Sequence, residues 1–173
     1  PAIPVVAVQF LDEATSEALL ERFAAANYDL DSVLEGTQSV PRLYTSSLPG
    51  DLRALDGGDL RKQVFISTML PLVLMANEEI LTARRELIRL LDKREAGEAL
   101  SASEHDWLLD LADYYDADPE DSDELLLKVD ALPVALTLAQ AILESGWGTS
   151  RYAREGNALF GQRTWRQDVP GLV

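Results

Sequence analysis

The chain has 173 residues and a formal charge of −15, from 15 basic and 30 acidic residues, and it contains no cysteine. This length suits one large domain with an ample core, and the missing cysteine excludes thiol nucleophiles, disulfides and thiolate metal sites. The densest basic cluster, residues 84–94, is interleaved with acidic residues, as on an exposed helix face, so nucleic acid is not an expected partner.

Residues 1–58 are predicted to form an irregular N-terminal arm that packs on the rest of the chain. Residues 1–10 look extended, and Ser16 is the expected N-cap of a short helix with apolar residues at helical spacing. Proline and glycine punctuate residues 27–58. We therefore expect a domain boundary at residue 58, with residues 59–173 forming the functional domain.

The remainder of the chain predicts a mainly α fold, with any β-structure late, after Gly146. A long helix is expected from Asp59 to about residue 95, and Pro71 inside it predicts a kink or break. Ser101 and Glu104 have the spacing of a capping box, which predicts a further helix. The uninterrupted apolar runs are short, so no transmembrane segment is predicted.

Elimination leaves carboxylates as the main source of acid–base chemistry. His105 is the single histidine, and its position between Glu104 and Asp106 is typical of a surface residue. The sequence has neither a phosphate-binding loop nor a dinucleotide fingerprint. We therefore expect no cofactor and no metal site.

Glu144 stands apart from the other carboxylates because it ends a strongly apolar helix. Thr137, Gln140 and Glu144 fall on one face, and the rest of residues 134–143 is apolar, so the helix is expected to be buried nearly all round. Apolar neighbours and the negative end of the helix dipole both disfavour the charged carboxylate. A carboxyl that keeps its proton suits general-acid cleavage of a glycosidic bond.

A simpler interpretation stays open at this point. Glu144 could end the helix and pair with Arg151 or Arg154. The next residues support either view, since Gly146 and Gly148 bracket Trp147, whose ring could carry a sugar or pack in the core.

The run LAQAILESGWGTSRYAREGNALFGQ, residues 138–162, resembles the glucosaminidase signature of Bax-type proteins. It is also similar to the wider group of bacterial peptidoglycan N-acetylglucosaminidases, glycoside hydrolase family 73. The segments VPRLYTSSLP and KQVFISTMLPLVLMANEEIL look like the Bax-type branch as well, so the resemblance covers most of residues 38–165. It implies a lysozyme-like helical body, α+β in a full domain, and β-N-acetylglucosaminidase activity on peptidoglycan in the periplasm or cell envelope.

The resemblance also implies roles for individual residues. It gives the general-acid role to Glu144, and the matching motif positions that shape or support a cleft are Ser145, Trp147, Asn157 and Phe160. Gln140 joins these as a candidate substrate-binding residue because it shares the face of Glu144.

Two departures from the family pattern affect these expectations. Ala158 stands where the family commonly has a second asparagine, and the sequence stops soon after the motif. We therefore expect an incomplete domain that is weakly active or inactive, with Asp168 as the candidate second carboxylate. The 2-acetamido group of the substrate could replace a protein nucleophile.

Two other functions remain open from the sequence. A lytic transglycosylase acts on the same polymer and also uses one glutamate, followed by serine, on a lysozyme-like helix. A non-catalytic module that binds glycan or docks a partner is the third reading. The sequence predicts no oligomeric state.

Overall fold

The computed structural model describes residues 9–12, 14–56 and 58–160, and the described chain is mainly helical. The helices are α1 (Ser16–Ala25), α2 (Leu30–Leu34), α3 (Gly58–Glu95), α4 (Ala102–Tyr114), α5 (Ser122–Lys128), α6 (Val134–Ser145) and α7 (Arg151–Gly156). A short 3₁₀ turn covers Leu52–Ala54. This confirms the predicted mainly α class and is consistent with a lysozyme-like helical body.

The strands lie early in the chain, and the expectation that β-structure would come late is wrong for the described residues. β1 (Gln9–Leu11) pairs in parallel with β2 (Leu43–Thr45), with Phe10 opposite Tyr44. Their rings lie 6.1 Å apart between centroids. Each strand has three residues, which is too short to show an alternating pattern in the sequence.

The chain divides into two compact units, each with its own core. The first unit comprises residues 1–73 and 134–173. Its buried core is built from both ends of that unit: Leu11, Leu19, Phe23, Tyr28, Leu52, Val64, Phe65, Met69 and Ala141. The predicted arm therefore supplies core side chains, and the compact units divide the chain at other places than residue 58.

The second unit comprises residues 74–133. Its core contains Leu87, Leu90, Leu91, Leu108, Ala112, Leu125 and Val129. Helix α4 begins with the predicted capping box, in which the Ser101 hydroxyl accepts from the Glu104 N–H and the Glu104 carboxylate accepts from the Ser101 N–H. The Arg84 guanidinium donates to the carbonyl of Val129 at 2.8 Å, which fixes the end of α5.

Helix α3 continues through Pro71, so of the kink or break that the sequence predicted, the break does not occur. By length and composition it could cross a membrane, since its most apolar window has a mean hydropathy of 1.5, and 44% of that window is buried. Val64, Phe65 and Met69 from this stretch pack in the core of the first unit. That packing is typical of a core helix in a globular unit.

Candidate active site

Helix α6 carries the candidate acid, and it is less buried than its apolar sequence suggested. Ala141 and Ser145 are fully buried, whereas Leu136 is 49% exposed and Leu143 is 81% exposed. Gln140 and Glu144 are exposed on the same side of the helix. The expectation of a helix buried nearly all round is therefore wrong, and its outer face is a mixed strip of apolar and polar side chains.

Glu144 lies in the last turn of α6 with its side chain in solvent. Across the described ranges, the structure records no hydrogen bond or ion pair of this carboxylate. Arg151 Nε lies 3.4 Å from a Glu155 oxygen, and Arg154 Nε donates to the carbonyl of Thr149. The alternative in which Glu144 merely pairs with Arg151 or Arg154 is thus not supported. Its exposure also weakens the expected desolvation of the carboxyl.

The turn after Glu144 contains three consecutive residues in the left-handed backbone region. Gly146, Trp147 and Gly148 have φ of +56°, +60° and +74°. This region costs a side-chain-bearing residue roughly 1–2 kcal/mol, whereas glycine adopts it readily. The sequence therefore confines the cost to Trp147, and the left-handed turn begins two residues after the candidate acid.

Ser145 holds this turn from inside. Its side chain is fully buried, and its hydroxyl donates to the carbonyl of Ala141 and accepts from the N–H of Gly148 at 2.9 Å. Both partners are backbone groups, so the hydroxyl is committed to the end of α6. Direct contact of Ser145 with a substrate does not fit this burial. A supporting role beneath Glu144 does.

Gly148 sits against the core of the first unit. A Cβ added there would lie 3.0 Å from Cδ2 of Leu52, 3.2 Å from Cδ2 of Phe65 and still closer to Leu48. Those distances leave no room for a side chain. The turn that follows Glu144 thus rests on three apolar side chains, one from the loop before the 3₁₀ turn, one from that turn and one from α3. We call these residues, Leu48, Leu52 and Phe65, the turn seat.

Trp147 is half-buried and packs against the same core. Its ring lies 5.9 Å from the Phe65 ring in an edge-to-face arrangement. The structure therefore favours the packing role that the sequence left open beside the sugar-stacking role. Edge-to-face pairs of this kind contribute about 0.5–1.5 kcal/mol beyond area burial.

Helix α7 connects the turn to the second half of the motif. The Ser150 hydroxyl accepts from the Ala153 N–H as its N-cap. Asn157 ends the helix at φ +48°, and its side-chain amide donates to the carbonyl of Ser46 at 2.8 Å. Asn157 therefore ties the motif to the segment after β2, which is a supporting contact.

The remaining candidates are divided by the structure. Phe160 is 42% exposed at the end of the described chain. Asp168 lies outside the described residues. Sequence reasoning passed over Tyr152, whose ring is 53% exposed on α7 within the motif.

Two cavities lie away from Glu144. One, of about 500 Å³, is lined by residues 24–38 of the first unit, and the other, of about 270 Å³, includes His105 in the second unit. Among the described residues, no three His, Asp or Glu side chains converge to hold a metal ion.

Comparisons with known proteins point to one family. Residues 120–170 match the model of the glucosaminidase family, described as mannosyl-glycoprotein endo-beta-N-acetylglucosaminidase. The chain is 35% identical over 138 residues to Protein bax of Escherichia coli (strain K12), which covers 75% of this chain and 48% of that relative. The chain thus spans about half the length of the curated relative it matches. No solved structure matches it. Together the two matches support a Bax-type, glucosaminidase-like protein.

Proposed function

We propose that this protein hydrolyses β-1,4 glycosidic bonds of the peptidoglycan glycan as an N-acetylglucosaminidase, with Glu144 as the general acid. The observation that carries the proposal is the state of Glu144. It lies inside the matched segment, at the end of α6, exposed and without a hydrogen bond or ion pair to the described residues. A carboxyl in that state is free to meet a substrate oxygen.

The chemistry assigns one proton to Glu144. The acid protonates the glycosidic oxygen while the bond from that oxygen to the anomeric carbon breaks. A water then adds its oxygen to the anomeric carbon, and the proton that this water loses restores the acid form of Glu144. A positioned acid contributes roughly 10²–10⁴-fold to the rate. The opposite face of the sugar needs a second group, for which the 2-acetamido group of the substrate and Asp168 are the candidates.

The outer face of α6 supports glycan binding beside the acid. Leu136 and Leu143 offer exposed apolar surface, and Gln140 offers an amide that can donate and accept. Sugar rings present an apolar face and a rim of hydroxyl groups, so this strip complements them.

The proposal places the protein where its substrate is. Peptidoglycan surrounds the bacterial cell outside the inner membrane, so the proposed compartment is the periplasm or cell envelope. The formal charge of −15 argues against a nucleic-acid substrate, since a phosphate backbone would be repelled.

Analysis of the products tests the reaction class. Purified sacculi are digested with the protein in water enriched in a heavy oxygen isotope, reduced with borohydride and examined by mass spectrometry. We expect new ends that carry the heavy oxygen and yield reduced N-acetylglucosamine. Anhydro-muramyl ends without the label would identify a lytic transglycosylase, and labelled reduced muramic acid would identify cleavage of the other glycosidic bond.

A non-catalytic glycan-binding module is the second candidate, and the exposure of Glu144 favours it. A general acid gains from a dry environment, whereas a hydrogen-bonding carboxylate works in solvent. This function predicts that the protein sediments with sacculi and releases no soluble fragments. Fragment release in the same assay would reject it.

A further inference from the structure

We propose that Arg61 is a positioning residue for Glu144. Arg61 acts indirectly, through the turn seat. The inference rests on the proposed function for its catalytic part. The residue lies in the first turns of α3, outside the segment matched by the glucosaminidase family model, and it touches neither Glu144 nor the turn itself. Its effect passes through Leu52.

The Arg61 guanidinium binds three carbonyl groups of one short backbone segment. Its Nε donates to the carbonyl of Leu52 at 3.2 Å, and one terminal nitrogen donates to the carbonyls of Arg53 at 3.3 Å and Leu55 at 2.9 Å. These carbonyls belong to the 3₁₀ turn and the residue after it, where backbone acceptors lack helical partners. In the described ranges no carboxylate pairs with this guanidinium, so its donors serve the backbone.

Leu52 connects the segment that Arg61 binds to the turn after Glu144. Its side chain is 1% exposed, and its Cδ2 would lie 3.0 Å from a Cβ on Gly148. The Gly148 N–H in turn donates to the Ser145 hydroxyl, one residue from Glu144. A shift of the 3₁₀ turn therefore has a direct steric path to the backbone that carries the carboxyl.

Arginine is the residue type that this task requires. Its planar fork presents several donors in fixed directions, whereas a lysine ammonium is a point charge on a flexible stem. Arg61→Lys keeps the charge and loses the fork. If the charge alone acted on Glu144, lysine would restore function; if the fork holds the seat, it would not.

The experiment measures the packing of the turn on its seat and the rate of catalysis separately. Trp107 and Trp165 are replaced by phenylalanine in the full chain, so that Trp147 is the sole indole. Acrylamide quenching of its fluorescence then reports on the packing of the turn. Arg61→Ala and Arg61→Lys are compared with Arg53→Ala. This control removes an exposed arginine side chain from the same 3₁₀ turn and keeps the backbone carbonyl that accepts from Arg61. Kinetics are measured on purified peptidoglycan.

We expect stronger quenching of Trp147 in Arg61→Ala, with an intermediate value for Arg61→Lys and the parent value for Arg53→Ala. For Arg61→Ala we expect kcat to fall roughly 10- to 100-fold with KM nearly unchanged, because a misplaced acid weakens binding of the transition state and not of the substrate. A residue that merely stabilised the fold would lower Tm and leave quenching and kcat unchanged below Tm.

Failure of this inference and failure of the proposed function look different. Parental quenching in both Arg61 variants would overturn the role of Arg61, whatever the activity. Full activity in Glu144→Gln would overturn the proposed acid instead. If Arg61→Ala does not fold, Arg61→Lys tests the proposal. Parental quenching and a parental kcat in that variant would show that the guanidinium bonds to the backbone do not position Glu144.

Discussion

Gly148 has a left-handed backbone conformation and also lies in close contact with the turn seat, and each of these features disfavours a side chain. We predict that Gly148→Ala lowers the free energy of unfolding by about 2–5 kcal/mol. Backbone strain contributes about 1–2 kcal/mol, and overpacking against Leu52 and Phe65 contributes about 1–3 kcal/mol. Urea unfolding followed by circular dichroism measures the change.

Gly36 provides the matched control for that change. It has φ of +72°, close to that of Gly148, but an added Cβ would meet no atom within 4 Å. Gly36→Ala should therefore cost only the strain, about 1–2 kcal/mol. Equal losses in the two variants would show that the seat yields to a methyl group and is not a rigid support.

Ser145 is fully buried, and its hydroxyl bonds two backbone groups at the end of α6. We predict that Ser145→Ala lowers the free energy of unfolding by about 1–3 kcal/mol, because the buried Gly148 N–H loses its acceptor. Ser47→Ala, an exposed serine of the same unit, should change it by less than about 0.5 kcal/mol. If Ser145→Ala were as stable as the parent while binding less glycan, the hydroxyl would serve the substrate after all.

At the scale of elements, the link between α3 and α4 makes the second unit sensitive to acid. The Glu104 carboxylate accepts from the Lys93 ammonium, the Ser101 N–H and the Arg89 guanidinium, and these bonds hold its pKa well below the usual range. A carboxyl with a lowered folded pKa stabilises the fold above its unfolded pKa, about 4.3, and loses this contribution as pH falls further.

We therefore predict that Glu104→Gln is less stable than the parent at pH 7 and that the difference shrinks below about pH 4. Thermal melts across this range measure it. Asp106→Asn, the same change at an exposed position of α4, should cost far less at pH 7. A constant difference between Glu104→Gln and the parent at all pH values would show that the carboxylate charge contributes nothing.

Local signals predicted helices well, and they failed where the outcome depended on distant chain segments. The capping box at Ser101 and Glu104 needs only neighbours in sequence, and it was confirmed. The N-cap of α1 is Thr15, one residue before the predicted Ser16, whose amide and hydroxyl instead donate to Asp51. That contact spans 35 residues, and no local pattern encodes it.

The predicted burial of helix α6 was wrong for a related reason. An apolar sequence predicts burial on all sides, but it cannot say whether another element covers each side. The structure leaves Leu136 and Leu143 exposed beside Gln140 and Glu144. The candidate acid was predicted from local features, its position at the end of an apolar helix and the motif around it, and its catalytic role stays a prediction.

At the scale of the whole molecule, charge is unevenly distributed. Residues 74–133 contain seventeen acidic and six basic residues, a net charge of −11 out of −15 for the whole chain. The division into units at residues 73 and 133 was not predicted from the sequence, because α3 runs through the first boundary as one continuous helix.

We predict that sodium chloride stabilises the protein. Like-charge repulsion within residues 74–133 outweighs their ion pairs, since acidic residues outnumber basic ones almost threefold. Salt shortens the screening length from about 30 Å at 0.01 M to about 3 Å at 1 M and so relieves this repulsion. Tm from thermal melts should rise over that range. A falling Tm would mean that the pairs of Arg89 and Lys93 dominate instead.

The most direct measurement of the central claim is the rate at which purified peptidoglycan releases new reducing ends with Glu144→Gln. Glutamine keeps the size of the side chain and removes the transferable proton. Glu155→Gln serves as the control, because it makes the same change on α7 and breaks an exposed pair worth under about 1 kcal/mol. We predict a loss of roughly 10²–10⁴-fold for Glu144→Gln, with an unchanged circular dichroism spectrum, and a near-parental rate for the control. A parental rate in Glu144→Gln would contradict the assignment of the general acid.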